Sequence, residues 1–350
     1  MRTEKKAKIV TLSFNPKQVV KRLLGSIPAR AQDVISGRFG LNQTGEEMTL
    51  EAIGKKYGIT RERVRQIENY AVSHIRKSDQ YEKEKSAFDE LKTTIKRMGG
   101  VIAEEDLLES LARDIATKKC IHFMLVVGDD FNKIKEDAEF KHRWHIDIEL
   151  SGRIHEALQN LYQKLGDDEI IPESEIISSF LEHLKDVSDD YKEDEILTRW
   201  LAMSKNIGKN PLGEWGKSGS SNIKTKGVRD YAYLILRKHG SPIHFREVAK
   251  LIGEVFKKKA HVATTHNELI KDDRFVLVGR GLYALKEWGY QTGVVRDVIK
   301  DILKKHGPLS KEKIIEQVLK ERYVKENTIL VNLQNPKFFK KNKQGFYTAV

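Results

Sequence analysis

The sequence predicts a mostly α-helical protein: a helix-turn-helix followed by tandem winged helix-turn-helix modules with small β-hairpin wings. Three observations carry that expectation. Apolar residues recur at spacings of three and four along most of the chain, the period of an amphipathic helix. Between residues 49 and 77 two such runs flank a Gly-containing break. Beyond residue 80 one phrase occurs four times: an apolar helix, a Gly break, an apolar residue, a polar stretch with Glu, then a second apolar helix.

The first element is TLEAIGKKYGITRERVRQIENYAVSHIRK, from Thr49 to Lys77. Thr49 is a natural N-cap for a helix whose apolar residues are Leu50, Ile53 and Tyr57. Gly58 then offers the left-handed conformation that closes a helix. Thr60 is a second N-cap, with Arg63 in place of the acid that completes a capping box. The helix that follows turns Val64, Ile67, Ala71, Val72 and Ile75 inward and presents Arg61, Glu62, Arg65 and Gln66 outward. Long polar arms on the first turns of the second helix fit a helix-turn-helix reader, and a plain helical hairpin with a solvated charged face is the alternative. Such turns enter the major groove, where Arg pairs with guanine and Gln with adenine.

RFGL at Arg38–Leu41 and TLEAIGKKYGITRERVRQIE at Thr49–Glu68 resemble region 4 of the sigma-70 family of transcription initiation factors. The resemblance begins near Phe14, with VVKRLLGSIPARAQDVISGRFGL similar to the helices before the motif, and covers about residues 14–78. It implies a module that reads a −35 promoter element and whose upstream half docks on RNA polymerase. Carried over residue by residue, Arg61, Glu62, Arg65 and Gln66 face bases, and Thr49, Arg63 and Lys77 touch phosphates. The family's aromatic-rich upstream region, which melts the −10 element, has no counterpart in this sequence. The chain is therefore not expected to open promoters unaided.

The four repeats read IKRMGGVIAEEDLLESLA, LYQKLGDDEIIPESEIISSFL, LILRKHGSPIHFREVAKLIG and IKDILKKHGPLSKEKIIEQVL. Ile102, Ile171, Ile243 and Leu309 occupy equivalent positions in them. Starts near 87, 152, 228 and 294 are too far apart for a solenoid and suit small separate domains. The expected division is 1–80, 81–148, 149–225, 226–290 and 291–350. In the third copy HVATTHNELIKDD reads as a third helix and RFVLVGRGLYALKEW as a hairpin turning at Gly279–Arg280–Gly281. In the fourth, ENTILVNLQNPK is the helix and KFFKKNKQGFYTA the hairpin. Residues 226–290 resemble the HARE-HTH family, seen in the delta subunit of RNA polymerase; the fourth copy resembles a divergent relative. The stretch 207–226, rich in Gly, Ser and Asn, reads as a hinge, with Trp215 the exception that packs on a neighbour. Ser188–Glu195 reads as a solvated connector.

Charge divides the chain. Of 350 residues, 63 are Lys or Arg and 51 Asp or Glu, a net charge of +12. Residues 1–80 carry 16 basic and 8 acidic side chains and residues 226–350 carry 26 and 13, while the middle is acidic. Basic ends fit contact with a polyanion, because each cation placed on a phosphate releases counterions. Lys257, Lys258 and Lys259 precede one third helix, and Lys337, Lys340, Lys341 and Lys343 surround the last wing. Of these, Lys257, Lys258, Lys259, Lys340, Lys341 and Lys343 are expected on phosphates. The alternative role for the wing lysines is to keep strand edges from pairing. The acidic modules are expected to act as spacers or protein docks.

Enzyme chemistry is not expected. One cysteine, Cys120, excludes an internal disulfide and cysteine-rich zinc sites. It lies in CIHFMLVVG, where a buried, inert thiol is expected. His142 and His145 have ligand-like spacing without an accompanying metal motif. Gly99–Gly100 lacks the Lys and Ser/Thr of a phosphate loop, and Asp129–Asp130 and Asp167–Glu169 read as turns. No apolar run approaches the ~18 residues of a membrane span, and MRTEKKAKIV lacks the apolar core of a signal peptide. The expected protein is a cytoplasmic, nucleoid-associated regulator with no cofactor, metal or membrane contact. Its partners are double-stranded DNA and, as a further expectation, RNA polymerase. Two alternatives remain: a polymerase accessory protein that reads no bases, and the recognition subunit of a restriction or DNA-processing system.

Overall fold

The structure, a computed structural model, describes residues 9–42, 45–290 and 293–350. They divide into two compact units. The first comprises residues up to 167 together with 171–208 and 215–218; the second comprises 168–170, 209–214 and 219–350.

In the first unit, helix α1 (Pro16–Leu24) starts at Asn15, whose Oδ1 accepts from the Lys17 and Gln18 amides, and α2 (Ala29–Phe39) ends at left-handed Gly40. The helix-turn-helix follows as α3 (Leu50–Tyr57) and α4 (Arg61–Arg76). A short α5 (Asp79–Lys83) leads to α6 (Lys85–Arg97), β1 (Val101–Ala103), α7 (Glu104–Leu111), α8 (Ile115–Val127), β2 (Asn132–Ile134) and β3 (Arg143–His145). Then come α9 (Ile148–Lys164), α10 (Glu173–His183), α11 (Asp194–Leu201), β4 (Ile207–Lys209) and β5 (Trp215–Lys217).

The second unit holds α12 (Val228–His239), β6 (Ile243–His244), α13 (Phe245–Phe256), α14 (Val262–Lys271), β7 (Phe275–Gly279) and β8 (Leu282–Leu285). It ends with α15 (Val295–His306), α16 (Lys311–Glu321), α17 (Glu326–Leu333), β9 (Phe339–Lys341) and β10 (Tyr347–Ala349).

From α6 onward one topology occurs four times: helix, short extended segment, two helices, antiparallel hairpin. In each copy the repeat's aliphatic anchor pairs with an aromatic residue on the hairpin's second strand. The pairs are Ile102 with Trp144, Ile243 with Tyr283, and, as isolated bridges, Ile171 with Trp215 and Leu309 with Tyr347. Aliphatic–aromatic cross-strand pairs stabilise small sheets by ~0.2–1 kcal/mol each. They explain why both positions are apolar in every repeat. The fold is thus mostly helical, a helix-turn-helix followed by winged modules. Its first two wings are ones the repeat phrase alone does not place.

The first unit shares apolar packing across the expected module limits. Val19, Ile35 and Ile75 lie in one buried cluster with Phe88, Phe123 and Trp144. Helix α8 is apolar on nearly every side, the mark of a helix covered all round. It packs on α1, α2 and α4.

The segment 207–226, expected as a hinge, is folded instead. Trp215 is buried in the first unit, exchanges backbone hydrogen bonds with Ile171 and donates its Nε1–H to Glu173 at 3.1 Å. In the second unit Asn210 Oδ1 accepts from the Leu212 and Glu214 amides, and the Ser220 hydroxyl donates to Asp168 at 2.8 Å. Composition misled because the small polar residues here serve as buried turn and bridging groups, and are not solvated chain. The connector around Ser188 is mostly exposed, but its last residues already begin α11.

Buried imidazoles set the pH response of the first unit. Arg143, almost wholly buried, donates Nε–H to His155 Nε2 at 2.7 Å, and the His155 ring lies 4.5 Å from that of Phe140. Burial, and next the Arg143 charge, push the His155 pKa down to about 4. Burial also lowers His122 and His145. The folded state therefore binds fewer protons than the unfolded chain once pH drops below the ordinary histidine value. Stability present above that value is expected to fall as pH falls toward about 4. Thermal melts along a pH series check this: the decline should be shallower in His155→Gln, and parallel curves would contradict it.

Candidate nucleic-acid interface

Helices α3 and α4 meet over Val34, Ile53 and Val64, with Leu50, Tyr57 and Ile67 packed around them. Thr49 Oγ1 accepts the Ala52 amide at 3.1 Å and Thr60 Oγ1 accepts the Arg63 amide at 3.2 Å, so both expected N-caps form. Gly58 closes α3 at φ 65°, a left-handed conformation that an L side chain rarely adopts. This turn sets the angle at which α4 leaves, and hence the direction of its first turns.

Arg61, Glu62, Arg65 and Gln66 are all exposed on those turns. The Arg65 guanidinium donates Nε–H and Nη2–H to the two Glu62 oxygens at 2.9 and 2.7 Å, and Arg63 Nη1–H donates to Gln66 Oε1 at 3.0 Å. The hydrogen bond with Arg65 holds Glu62 below the usual carboxylate range, and the same bond raises Arg65. A solvent-exposed pair of this kind is weak. It orients the side chains without locking them. Arg is matched to guanine O6 and N7, Glu to the cytosine amino group, and Gln to adenine. Thr49 and Lys77 are exposed at the start of α3 and at the C-cap of α4.

Other residues here escape sequence reasoning. Arg76, in the last turn of α4, donates Nε–H to the Val127 carbonyl at 2.8 Å and Nη2–H to that of Val126 at 3.0 Å, and ion-pairs with Asp129 at 3.1 Å. It satisfies the carbonyl end of α8 and ties it to α4. Arg38, from the RFGL string, lies 3.5 Å from Glu68 of α4. Only its place beside an apolar motif hinted at a structural task.

The third helices of the four winged modules divide into two kinds. Helix α8 is spent on covering α1, α2 and α4. Helix α11 is spent on β1: Trp200 donates Nε1–H to the Val101 carbonyl at 3.0 Å, and Arg199 reaches Asp106 at 2.7 Å. Gly99, at φ 113°, makes that approach possible, since a Cβ there would lie 2.8 Å from Ile196 and 2.9 Å from Trp200. The acidic modules thus dock within the chain.

Helices α14 and α17 keep open faces. Thr264, Asn267 and Lys271 are exposed on α14, and Asn327, Thr328 and Val331 on α17. Lys257, Lys258 and Lys259 are exposed in the turn before α14, and Lys340, Lys341 and Lys343 on the last hairpin, where Lys341 Nζ lies 5.7 Å from the Tyr347 ring centre. Within the second unit the last two modules are joined by Arg322 and Tyr323. The Tyr323 amide donates to the Val278 carbonyl at 2.9 Å and Arg322 to the carbonyls of Leu277 and Gly293 at 2.8 and 3.0 Å. This pairs the free edge of β7.

The His142 and His145 pair is structural in placement: His142 Nδ1 accepts the Glu136 amide at 2.9 Å and His145 is buried on β3. Among the described residues no group of three His, Cys, Asp or Glu side chains is placed to hold a metal, and no helix is long and apolar enough to cross a membrane.

Residues 23–77 match the family model described as Sigma-70, region 4. The chain is 42% identical over 55 residues to an RNA polymerase principal sigma factor HrdD of Streptomyces coelicolor, covering 16% of each protein. It is 45% identical over 65 residues to the RNA polymerase sigma factor RpoD of Helicobacter pylori, 19% of this chain and 10% of that one. A match of 46% over 57 residues, 16% of each, joins it to RpoS of Coxiella burnetii. The chain spans less than a fifth of the length of these curated relatives, and within it residues 23–77 are a sigma-70 region 4 domain.

Proposed function

We propose that the chain is a DNA-binding transcription regulator whose helix α4 reads a −35-like promoter element and whose last two modules grip the backbone beside it. On this reading it acts by binding, not by catalysis, and resides with DNA in the cytoplasm. The observation that carries the proposal is the exposed set Arg61, Glu62, Arg65 and Gln66 on the first turns of α4, inside a domain matched to sigma factors by name. The open faces of α14 and α17, with their lysines, support a second, sequence-tolerant contact. A HARE-HTH-like module at 226–290 fits that role.

RNA polymerase is the protein partner we propose. Val19, Val20, Leu23 and Ile35 of α1 and α2 already lie in a core with α8 residues. A polymerase contact would therefore use the exposed surface of the domain and not this apolar face, and the names of the relatives matched over residues 23–77 support it. A genome-wide occupancy map of the protein, set against one of polymerase, tests the reading. Enrichment at promoters carrying a shared −35-like sequence is expected; occupancy without sequence preference would overturn it.

The wing makes a separable prediction. Replacing Lys340, Lys341 and Lys343 by Ala should weaken binding to all duplexes alike and flatten the dependence of log K on log salt by up to about three phosphate contacts. Measured slopes equal to wild type would remove the wing from the interface.

A further inference from the structure

We propose that the recess between α2 and the α7–α8 pair is a binding site for a small dianion of the phosphate-monoester class. The recess has a volume of about 360 Å³, within the range of small-molecule sites. Four cations line it, Arg38, Lys118, Lys119 and Lys133, and each has a carboxylate partner, Glu68, Glu109, Glu47 and Glu104 in turn, of which Glu47 and Glu104 also line the recess.

The lysines are unusual for their burial. Lysine normally carries its ammonium out to water, yet the Lys118, Lys119 and Lys133 side chains are only 19, 28 and 29% exposed. Carboxylates offset that burial, and where a carboxylate is itself well exposed another anion can take its place. Lys118 pairs with Glu109 and Lys119 with Glu47, and both carboxylates are more exposed than their lysines, at 59 and 41%. An entering anion displaces those carboxylates into water at little cost, while the ammonium groups stay facing the recess. Lys133 differs: Glu104 holds it at 2.6 Å and is itself fixed by the Trp144 Nε1–H at 2.8 Å, so this pair forms a rigid wall.

Two further groups point to a ligand with an organic body. The rings of Phe39 and His122 line the recess with centres 6.0 Å apart. His122 Nε2 is buried with no hydrogen-bond partner, 3.6 Å from Glu104. Burial favours its neutral form, which leaves one ring nitrogen able to accept a proton donor or offer its own. Arg38 and the lysines supply the charge-assisted contacts that a phosphate takes. The site lies apart from the exposed face of α4 and does not depend on base reading there.

The test uses the full chain, with inorganic phosphate and adenosine 5′-monophosphate as separate probes at matched ionic strength. Binding is followed by the His122 ring resonances and by the rise in melting temperature that a native-state ligand produces. His122→Gln assigns the resonance. Saturation by either probe below about 10 mM is expected, with the His122 signal shifting. Lys118→Gln with Lys119→Gln should weaken it at least about tenfold, and the Lys→Arg pair should restore it. Lys164→Gln with Lys185→Gln, at exposed lysines given no binding role, should leave it unchanged. Tighter binding of the nucleotide assigns an organic phosphate; equal binding assigns the phosphate group alone. An unmoved His122 signal, or equal weakening by both lysine pairs, overturns the proposal.

Discussion

Arg65→Ala is expected to cost about 1–3 kcal/mol on the preferred duplex and to relax selectivity at one base pair while leaving affinity for scrambled DNA nearly unchanged. The guanidinium is exposed and pairs with Glu62, one turn away, outside the core of α3 and α4, so its removal leaves that core intact. Folded stability should therefore move by no more than about 0.5 kcal/mol. Glu62 loses the partner that holds its pKa down, and its pKa should return toward the ordinary carboxylate value. Competition binding with single-base-pair variants of the site measures the effect. Selectivity unchanged from wild type would mean that Arg65 reads no base.

Phe123→Ala is expected to cost about 3–5 kcal/mol, a large part of the ~5–15 kcal/mol that holds a typical domain folded. Phe123 is fully buried on α8 and meets Phe39 of α2 edge-on with ring centres 5.1 Å apart. Truncation empties the centre of the cluster shared by the sigma-70 region 4 domain and the first winged module. Both should lose stability together, and Trp144, in the same cluster, reports the event by fluorescence in a denaturant titration. Ile270→Ala, on the exposed side of α14, is the control and should change little. A loss below about 1 kcal/mol for Phe123→Ala would contradict the shared core.

The helix-turn-helix was legible in the sequence because its signals are local. Two Thr caps, one left-handed Gly and a 3.6-residue apolar period sit within thirty residues, and the structure forms each of them. The last two hairpins were legible for the same reason, through Gly279–Arg280–Gly281 and the Asn342–Gly345 turn. The first two wings were expected from the repeat but could not be placed, because β2 and β3 are three residues each and eight residues apart, and β4 and β5 are as short. What α8 covers was also hidden. Its all-round apolarity announced burial but carries no address for its partner, and Arg76 read as one more surface cation. The hinge reading failed on side-chain chemistry: Asn210, Ser220 and Asn222 are buried as hydrogen-bonded turn groups, a use that composition does not separate from solvated linker. Lys257 through Lys259 and the wing lysines are exposed as anticipated; exposure places them for phosphate contact and leaves that contact as our proposal.

The central claim is that α4 reads sequence while the basic modules supply tolerant affinity. The most direct measurement is the affinity of the full chain for a −35-like duplex and for its scrambled counterpart, across a salt series. The account predicts a preference of at least tenfold for the −35-like duplex that persists as salt rises, with both affinities falling in parallel. Equal affinity for the two duplexes at every salt concentration would contradict it.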